Sequence, residues 1–294
     1  MNPGLEKLQL YPFQRLAQIK ANSSPPKSSA IIDLSIGEPQ LETPHIIQES
    51  LKRAISGVGK YPSTRGTLRL RESMSSWATK RFNLGKEQLL PDRNILPVSG
   101  TREALFSIAQ TLFATNSAKS LVGLPNPFYQ IYEGAAILAG ATPYYFNGPA
   151  HNNFIPLFED TPEKIWRKMS FMYICSPGNP AGNVMTSQQY DYLISMADKH
   201  NFFIVVDECY SELYGNEEEP PLGILEWCHL SGRSSFQRCL AMHSLSKRSN
   251  SPGLRSGFVA GDPDLIEKFF MYRTYHGSAM PLHVQEASIT AWSD

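Results

Sequence analysis

The sequence lacks the features that would place a protein in a membrane, on nucleic acid or in the secretory pathway. Its 27 basic and 27 acidic residues cancel to a formal net charge of zero over 294 residues, so no long-range field attracts nucleic acid or anionic lipid. The longest apolar runs, such as residues 202–206, fall far short of the roughly 20 residues that span a bilayer. The first 20 residues contain no compact apolar segment before a small-residue cleavage site. We therefore expect a soluble, cytoplasmic protein with no nucleic-acid or membrane partner.

Cysteine is also scarce. The four cysteines, at positions 175, 209, 228 and 239, show no CxxC spacing and lie mostly in apolar, strand-like stretches. This pattern favours buried, reduced thiols over a disulfide or a metal site, and we predict no bound metal. With 41% hydrophobic and 18% charged residues, and no repeat or long low-complexity segment, the chain can bury a sizeable core. The remaining possibility is a globular protein, of the kind typical of enzymes.

The amino-terminal region is predicted to be an arm. Residues 22–29 (NSSPPKSS) resemble a linker, because paired prolines and serines continue neither a helix nor a packed strand. Ahead of them, residues 8–20 predict a short amphipathic helix. The first thirty or so residues are therefore predicted to form an arm.

After the arm, short apolar runs alternate with helical patterns. Strands are predicted at 95–98, 120–123, 142–146, 171–175, 202–206, 240–243 and 257–260, and helices at 101–114, 129–139, 161–168, 187–199 and 263–275. A further helix is predicted after Met280. This alternation predicts an α/β fold with a mostly parallel, doubly wound sheet. Such sheets bind ligands beyond the carboxyl ends of their strands, so residues just after each strand are the candidates for function.

The most specific of these segments runs from Ser244 to Gly257 (SLSKRSNSPGLRSG). Lys247 directly follows an apolar strand and stands between serines, and a Gly/Pro turn leads on to Arg255. Hydroxyls and a guanidinium can hold a phosphate, and a lysine amine can condense with an aldehyde. Together these properties point to pyridoxal 5′-phosphate (PLP). The alternative is a polar turn with a solvated surface lysine.

Two segments after other strands fit the same cofactor. Asp207 follows a buried strand and could hold a proton on a pyridine nitrogen, although an acid there is often a helix cap. Tyr210 could donate to the ring 3-oxygen, or be a half-buried aromatic. Asn179, in the turn CSPGNPAG, could reach the same oxygen, or serve only the turn.

Two more segments complete the set. Gly100, Thr101 and Arg102 open a helix whose free N–H groups can bind phosphate, although a plain strand-to-helix turn looks the same. In PNPFYQIY, an aromatic such as Tyr129 could stack on a pyridine ring, or simply belong to the core. Five such segments in this order, each after a predicted strand, favour one shared site.

Taken together, these segments resemble the class I/II PLP-dependent aminotransferases of the aspartate aminotransferase fold. The resemblance covers essentially the whole chain after the arm. It implies an arm and small-domain segment over residues 1–45 and a large PLP-binding domain over residues 46–294. The chain ends before the small carboxyl-terminal domain that supplies the family's α-carboxylate arginine, so we expect a sequence cut short.

The resemblance also implies a role for each matching position. Lys247 matches the lysine that bonds to PLP, and Asp207 the partner of the pyridine nitrogen. Tyr210 and Asn179 match the pair on the ring 3-oxygen, and Tyr129 the stacking aromatic. The phosphate cup is matched by Gly100, Thr101, Arg102, Ser244, Ser246 and Arg255.

Three further positions concern the substrate and a partner subunit. Gly37, in IGEP, matches the loop glycine beside the substrate, and Asn179 is expected to contact the substrate as well as the cofactor. Tyr61, in KYPSTRG, matches a tyrosine that reaches the phosphate of the neighbouring subunit, which implies a homodimer. Arg273, in YRTYHGSAM, could meet a distal substrate carboxylate; the alternative is a cation in the last turn of a helix that faces solvent or complements the helix dipole.

Within the family, the stretches GTREALF, PNPFYQIYEGAA, SLSKRSNSPGLRSGFVAGD and YRTYHGSAM are similar to the succinyldiaminopimelate aminotransferases of bacterial lysine biosynthesis. This implies that L-glutamate donates its amino group to N-succinyl-2-amino-6-oxopimelate. The products would be N-succinyl-LL-2,6-diaminopimelate and 2-oxoglutarate. Two alternatives remain open. Another aminotransferase (aspartate, aromatic or LL-diaminopimelate) or a β-lyase would use the same core residues, and a non-catalytic PLP-binding module would bind without turnover.

Overall fold

A computed structural model describes residues 1–24, 26, 28, 32, 33, 35–115, 117–277 and 279–294. Its centre is one sheet of seven strands in the order β1-β7-β6-β5-β4-β2-β3. The strands are β1 Ile95–Val98, β2 Leu121–Asn126, β3 Thr142–Asn147, β4 Met169–Cys175, β5 Phe203–Asp207, β6 Cys239–Ser244 and β7 Gly257–Gly261. Strands β2 to β6 pair in parallel, and β7 runs antiparallel to both of its neighbours. The predicted α/β fold with a mostly parallel sheet is confirmed.

Helices cover both faces of the sheet. They are α1 Pro12–Ala21, α2 His45–Arg53, α3 Leu68–Arg81, α4 Thr101–Leu112, α5 Ile131–Leu138, α6 Glu163–Trp166, α7 Ser187–His200, α8 Ile224–Leu230, α9 Leu245–Arg248, α10 Pro263–His276 and α11 Leu282–Ser293. Helices α4, α5 and α10 pack on one face, and α3, α7, α8 and α11 on the other. Short 3-10 turns lie at Pro3–Lys7, Ile55–Gly59, Ala150–Asn152, Phe158–Asp160 and Pro252–Leu254.

Alternating side chains of the central strands explain why both faces are covered. In β5, Ile204 and Val206 belong to the core on one face, and Val205 to the core on the other. Successive side chains of a strand point to opposite faces, so a run that is apolar at every position needs cover on both. This pattern produces the doubly wound arrangement that the sequence predicts.

Several helices depart from the predicted bounds. The helix expected at 161–168 contains only Glu163–Trp166, because Pro162 precedes it and β4 begins at Met169. The helix expected at 8–20 begins at Pro12. Helix α3 was not predicted, because its buried side carries Arg71, Ser73 and Ser75 among the apolar residues and blurs the hydrophobic period.

The two ends of the chain pack differently against the main body. Helix α11, predicted after Met280, lies against α2 and α3. The turn Pro3–Lys7 lies against α5, and Gly4 is buried there. The linker-like stretch predicted at 22–29 falls partly outside the described residues. In the part of the chain that the structure describes, no helix is long and apolar enough to cross a membrane.

Candidate active site

A cleft of about 870 Å³ opens at the edge of the sheet where β5 and β6 end. Each of these strands delivers a polar segment there, and the start of α4 joins them. The lining residues include Gly37, Thr101, Arg102, Tyr129, Asn179, Asp207, Tyr210, Ser244, Ser246, Lys247 and Arg255. The structure therefore brings most of the predicted cofactor residues into one cleft. Metal-binding groups of three or more His, Cys, Asp or Glu side chains are absent from the described ranges.

Lys247 is positioned by a capped single turn of helix. Ser244 ends β6, and its Oγ accepts a 3.1 Å hydrogen bond from the Ser246 backbone N–H, which caps α9. The Ser244 hydroxyl also donates to Ser246 Oγ at 2.9 Å. One residue further on, Lys247 Nζ donates to the carbonyl oxygen of Gly37 and lies 5.9 Å from the centre of the Tyr210 ring. The strand end and its cap thus place Lys247 in the lining of the cleft, and the Gly37 carbonyl holds its amine there.

Asp207 forms the floor of the cleft and is held by two donors. The carboxyl group is buried, and it accepts a 3.2 Å bond from the Cys209 backbone N–H and a 2.7 Å bond from the Tyr132 hydroxyl. Burial raises the pKa of Asp207, and hydrogen bonds from Cys209 and Tyr132 oppose that rise. A carboxyl group fixed in this way can face a ring nitrogen and favour a proton there.

Asn179 and Tyr210 meet across the cleft. The Asn179 side-chain amide donates to the Tyr210 hydroxyl at 3.4 Å. Asn179 stands in a tight turn after β4, in which the Gly178 N–H donates to the Asn183 carbonyl at 2.8 Å. Burial raises the pKa of Tyr210, so its hydroxyl keeps its proton and can act as a donor. An oxygen atom between these groups would receive two hydrogen bonds.

The start of α4 and Arg255 form the opposite end of the cleft. Gly100 caps α4 with φ +92°, and a Cβ at this position would overlap the Arg255 guanidinium. Only glycine therefore allows the cation to lie against the helix N-terminus. Arg255 Nη1 is anchored by the Pro252 carbonyl at 2.8 Å. Free N–H groups, a guanidinium and the Ser244 and Ser246 hydroxyls surround a space suited to a phosphate.

Arg102 is held between two tyrosines. Its Nε donates to the Tyr129 hydroxyl at 2.7 Å and its Nη2 to the Tyr11 hydroxyl at 2.9 Å. Tyr11 precedes helix α1, and Phe13 of α1 lines the cleft. The arm therefore closes one side of the site.

These residues fit PLP. The phosphate-sized cradle depends on a glycine that a Cβ would fill, and a buried carboxyl group lies across from it. The lysine amine and the paired Asn179 and Tyr210 groups stand in the same cleft. These groups thus suit the phosphate group, the basic ring nitrogen and the phenolic oxygen of PLP.

The structure does not bring Arg273 or Tyr61 into the cleft. The Arg273 guanidinium is fully buried and pairs with Glu103. A side chain enclosed in this way is neither a free anchor for a substrate carboxylate nor a solvent-facing cation. Arg273 does lie in the last turn of α10, where a cation complements the helix dipole, which was the other part of the alternative. Tyr61 is completely exposed, and its role towards a partner subunit stays a prediction.

Three site residues escaped the sequence analysis. Tyr132 lies three residues after Tyr129, and that spacing was the available signal. Cys209 lines the cleft with its Sγ 2.9 Å from Thr101 Oγ1, and burial raises its pKa, so the thiol is protonated. Tyr11 carried no signal, because only the fold places it beside Arg102. The other three cysteines are buried thiols, as expected.

Comparison with known proteins identifies the family. The model of the aminotransferase class I and II family matches residues 29–294. An LL-diaminopimelate aminotransferase of Aquifex aeolicus is 32% identical over 263 residues, which is 89% of this chain and 65% of that protein. The chain thus spans about two thirds of the length of that relative.

Solved structures agree with this comparison. An aminotransferase from Neisseria meningitidis matches with a TM-score of 0.95 and 44% identity over 100% of this chain and 74% of its own. The aminotransferase AspB from Helicobacter pylori matches with a TM-score of 0.90 and 36% identity over 98% of this chain and 74% of its own. The chain belongs to the class I and II aminotransferases, a family whose cofactor is PLP.

Proposed function

We propose that this chain carries the cofactor site of a cytoplasmic aminotransferase that serves diaminopimelate synthesis. The observation that supports the proposal most is the meeting of Lys247, Asp207 and Arg255 in one cleft. An amine, a buried carboxyl group and a phosphate-binding cation are the groups that transamination requires of a protein.

Each residue has a distinct task in this proposal. PLP, when bound, draws electrons away from the substrate α-carbon so that its C–H bond can ionise. Asp207 keeps the ring nitrogen protonated, and Asn179 and Tyr210 donate to the ring oxygen. Lys247 would hold the cofactor through its amine, and once released as a neutral amine it would take the proton from the substrate α-carbon and deliver it to the C4′ carbon of PLP. The start of α4, with Arg255, fixes the phosphate end.

The proposed reaction uses L-glutamate as amino donor and N-succinyl-2-amino-6-oxopimelate as acceptor. Its products are N-succinyl-LL-2,6-diaminopimelate and 2-oxoglutarate. Support for this substrate comes from the sequence stretches that include GTREALF and YRTYHGSAM. A second candidate is LL-diaminopimelate itself, which the name of the Aquifex relative favours. Both substrates are long and carry a carboxylate far from the reacting amine.

A substrate comparison tests the proposal. The purified full-length protein is loaded with PLP and assayed for 2-oxoglutarate-dependent loss of N-succinyl-LL-2,6-diaminopimelate, LL-diaminopimelate, aspartate and phenylalanine. We expect turnover with a diaminopimelate compound, at least about tenfold above the other two, and none in Lys247→Ala. Turnover that persists in Lys247→Ala would exclude the role of Lys247. PLP binding without turnover would favour a non-catalytic module.

We further propose a homodimer in which Tyr61 reaches the site of the partner subunit. Its complete exposure in the single chain supports this role, because a large aromatic side chain in water has no packing partner of its own.

A further inference from the structure

The first turn of α4 carries an acidic side chain that is turned away from the cleft. Glu103 is the third residue of α4 and follows Thr101 and Arg102, which both line the cleft. At this position a carboxylate ordinarily folds back over the helix start and accepts from its free N–H groups. In this structure the Glu103 carboxylate pairs instead with Arg273 of α10.

Stability alone does not account for this pair. The Arg273 side chain is 0% exposed and that of Glu103 is 20% exposed, and the Phe269 ring lies 5.7 Å from the guanidinium carbon. Removing two charges from water is costly, and apolar side chains of similar volume often stabilise a core equally well. An arginine at this buried position therefore calls for a second reason.

The position of the pair supplies that reason. An anion at the start of α4 depends on the first N–H groups and on the positive end of the helix dipole. A free Glu103 carboxylate would compete for those N–H groups and would repel the anion. Arg273 prevents both effects, because it holds the carboxylate beside α10 and neutralises its charge.

We infer that Arg273 is a positioning residue that keeps the Glu103 carboxylate away from the start of α4, so that the cup can bind the phosphate group of PLP. The inference rests on the proposed function, since it takes PLP as the ligand. The sequence suggested Arg273 as a contact for the substrate. In this inference it acts instead at the phosphate end of PLP. Arg273 acts there through Glu103 and touches no ligand itself.

Titrations with two ligands test the inference. PLP and the phosphate-free pyridoxal are added separately to the wild-type chain, Arg273→Met, Glu103→Gln and the double variant, and binding is followed by absorbance. In Arg273→Met we expect PLP to bind about tenfold more weakly and pyridoxal to change by less than about twofold, because only PLP carries the charge that Glu103 repels. In Glu103→Gln the affinity for PLP should stay within about twofold of wild type.

The double variant separates positioning from packing. Removal of the Glu103 charge should restore PLP affinity to within about twofold of wild type, although Arg273 is absent. Equal weakening of PLP and pyridoxal, or no rescue by Glu103→Gln, would mean that Arg273 is merely structural and would overturn the inference. Unchanged PLP affinity in folded Arg273→Met would also overturn it.

Folding is checked by circular dichroism and thermal unfolding. If Arg273→Met does not fold, the double variant still decides, because it leaves no buried charge unpaired. PLP affinity about tenfold below wild type in the double variant would then contradict the inference. A wild-type chain that binds neither ligand would instead remove the proposed function, and the inference with it.

Discussion

The hydroxyl of Tyr132 donates a 2.7 Å hydrogen bond to Asp207 Oδ2 beneath the floor of the cleft. Both side chains are buried, and the Tyr132 ring stacks on Tyr173 with 4.8 Å between the ring centres. A hydrogen bond to the ionised carboxylate favours that form, and it therefore opposes the burial that raises the pKa of Asp207. In this way α5 adjusts the charge of the residue assigned to the cofactor nitrogen.

Tyr132→Phe should weaken catalysis without preventing cofactor binding. Loss of the bond raises the pKa of Asp207 further, so less carboxylate faces the ring nitrogen. We expect kcat to fall about tenfold, the effect of about 1.4 kcal/mol, with a KM change below about threefold. Steady-state kinetics of Tyr132→Phe and the wild type measure this split between kcat and KM.

Tyr173→Phe is the matched control for this prediction. It also removes a buried hydroxyl, one that donates to the Leu105 carbonyl at 2.6 Å and does not contact Asp207. Its unfolding free energy should fall by about 1 kcal/mol, as in Tyr132→Phe, while kcat stays within about twofold of wild type. Equal kinetic losses in the two variants would show that Tyr132 acts only through packing.

Gly100→Ala should impair phosphate binding. A Cβ there would overlap the Arg255 guanidinium, and φ +92° is unfavourable for alanine. We expect PLP affinity to fall at least about tenfold, while pyridoxal is affected less. Gly232→Ala is the control, because Gly232 has φ +76° with open space around the new Cβ. If both variants lose PLP affinity equally, backbone strain and not the clash with Arg255 is responsible.

The buried pair Glu208 and His243 predicts how stability depends on pH. Burial raises the pKa of Glu208 from its ordinary 4.5 to about 8 and lowers that of His243 from 6.5 to about 3. Above pH 6.5 the folded state holds a proton on Glu208 that the unfolded state lacks, so stability falls as pH rises towards 8. Between pH 3 and 4.5 the unfolded state holds an extra proton on His243, so stability rises with pH. Between pH 4.5 and 6.5 the two effects oppose each other.

Glu208→Gln removes the alkaline half of this profile. Relative to the variant, the wild-type unfolding free energy should fall by about 2 kcal/mol between pH 6.5 and 8, as urea denaturation at each pH would measure. Glu267→Gln is the control, because Glu267 is an exposed partner of Arg65 and should leave the wild-type slope unchanged. Parallel profiles for wild type and Glu208→Gln would show that Glu208 is ionised in the folded state.

The sequence predicts the fold and the cofactor site far better than it predicts long-range side-chain pairs. Asp207 ends β5, Lys247 follows the end of β6, and Arg255 precedes the antiparallel β7, so the sheet brings all three to one edge and local patterns suffice for them. Arg273 pairs with Glu103, 170 residues away on another helix. No local pattern encodes that contact, and a cationic residue near a helix end looks the same whether buried or solvated.

Helix α3 was missed for a related reason, because Arg71 lies on its buried side and donates to the carbonyls of Gly66 and Pro91.

Complementation between two inactive variants tests the proposed dimer. Lys247→Ala and Tyr61→Ala each damage a site, but through different subunits if Tyr61 reaches across. In a mixed dimer one site then combines both wild-type residues, so refolding equal amounts together should recover about a quarter of wild-type activity. Refolding each variant alone is the control and should recover little activity. No gain on mixing, with dimers present by sedimentation, would place Tyr61 outside the partner's site, and a strict monomer would exclude the shared site altogether.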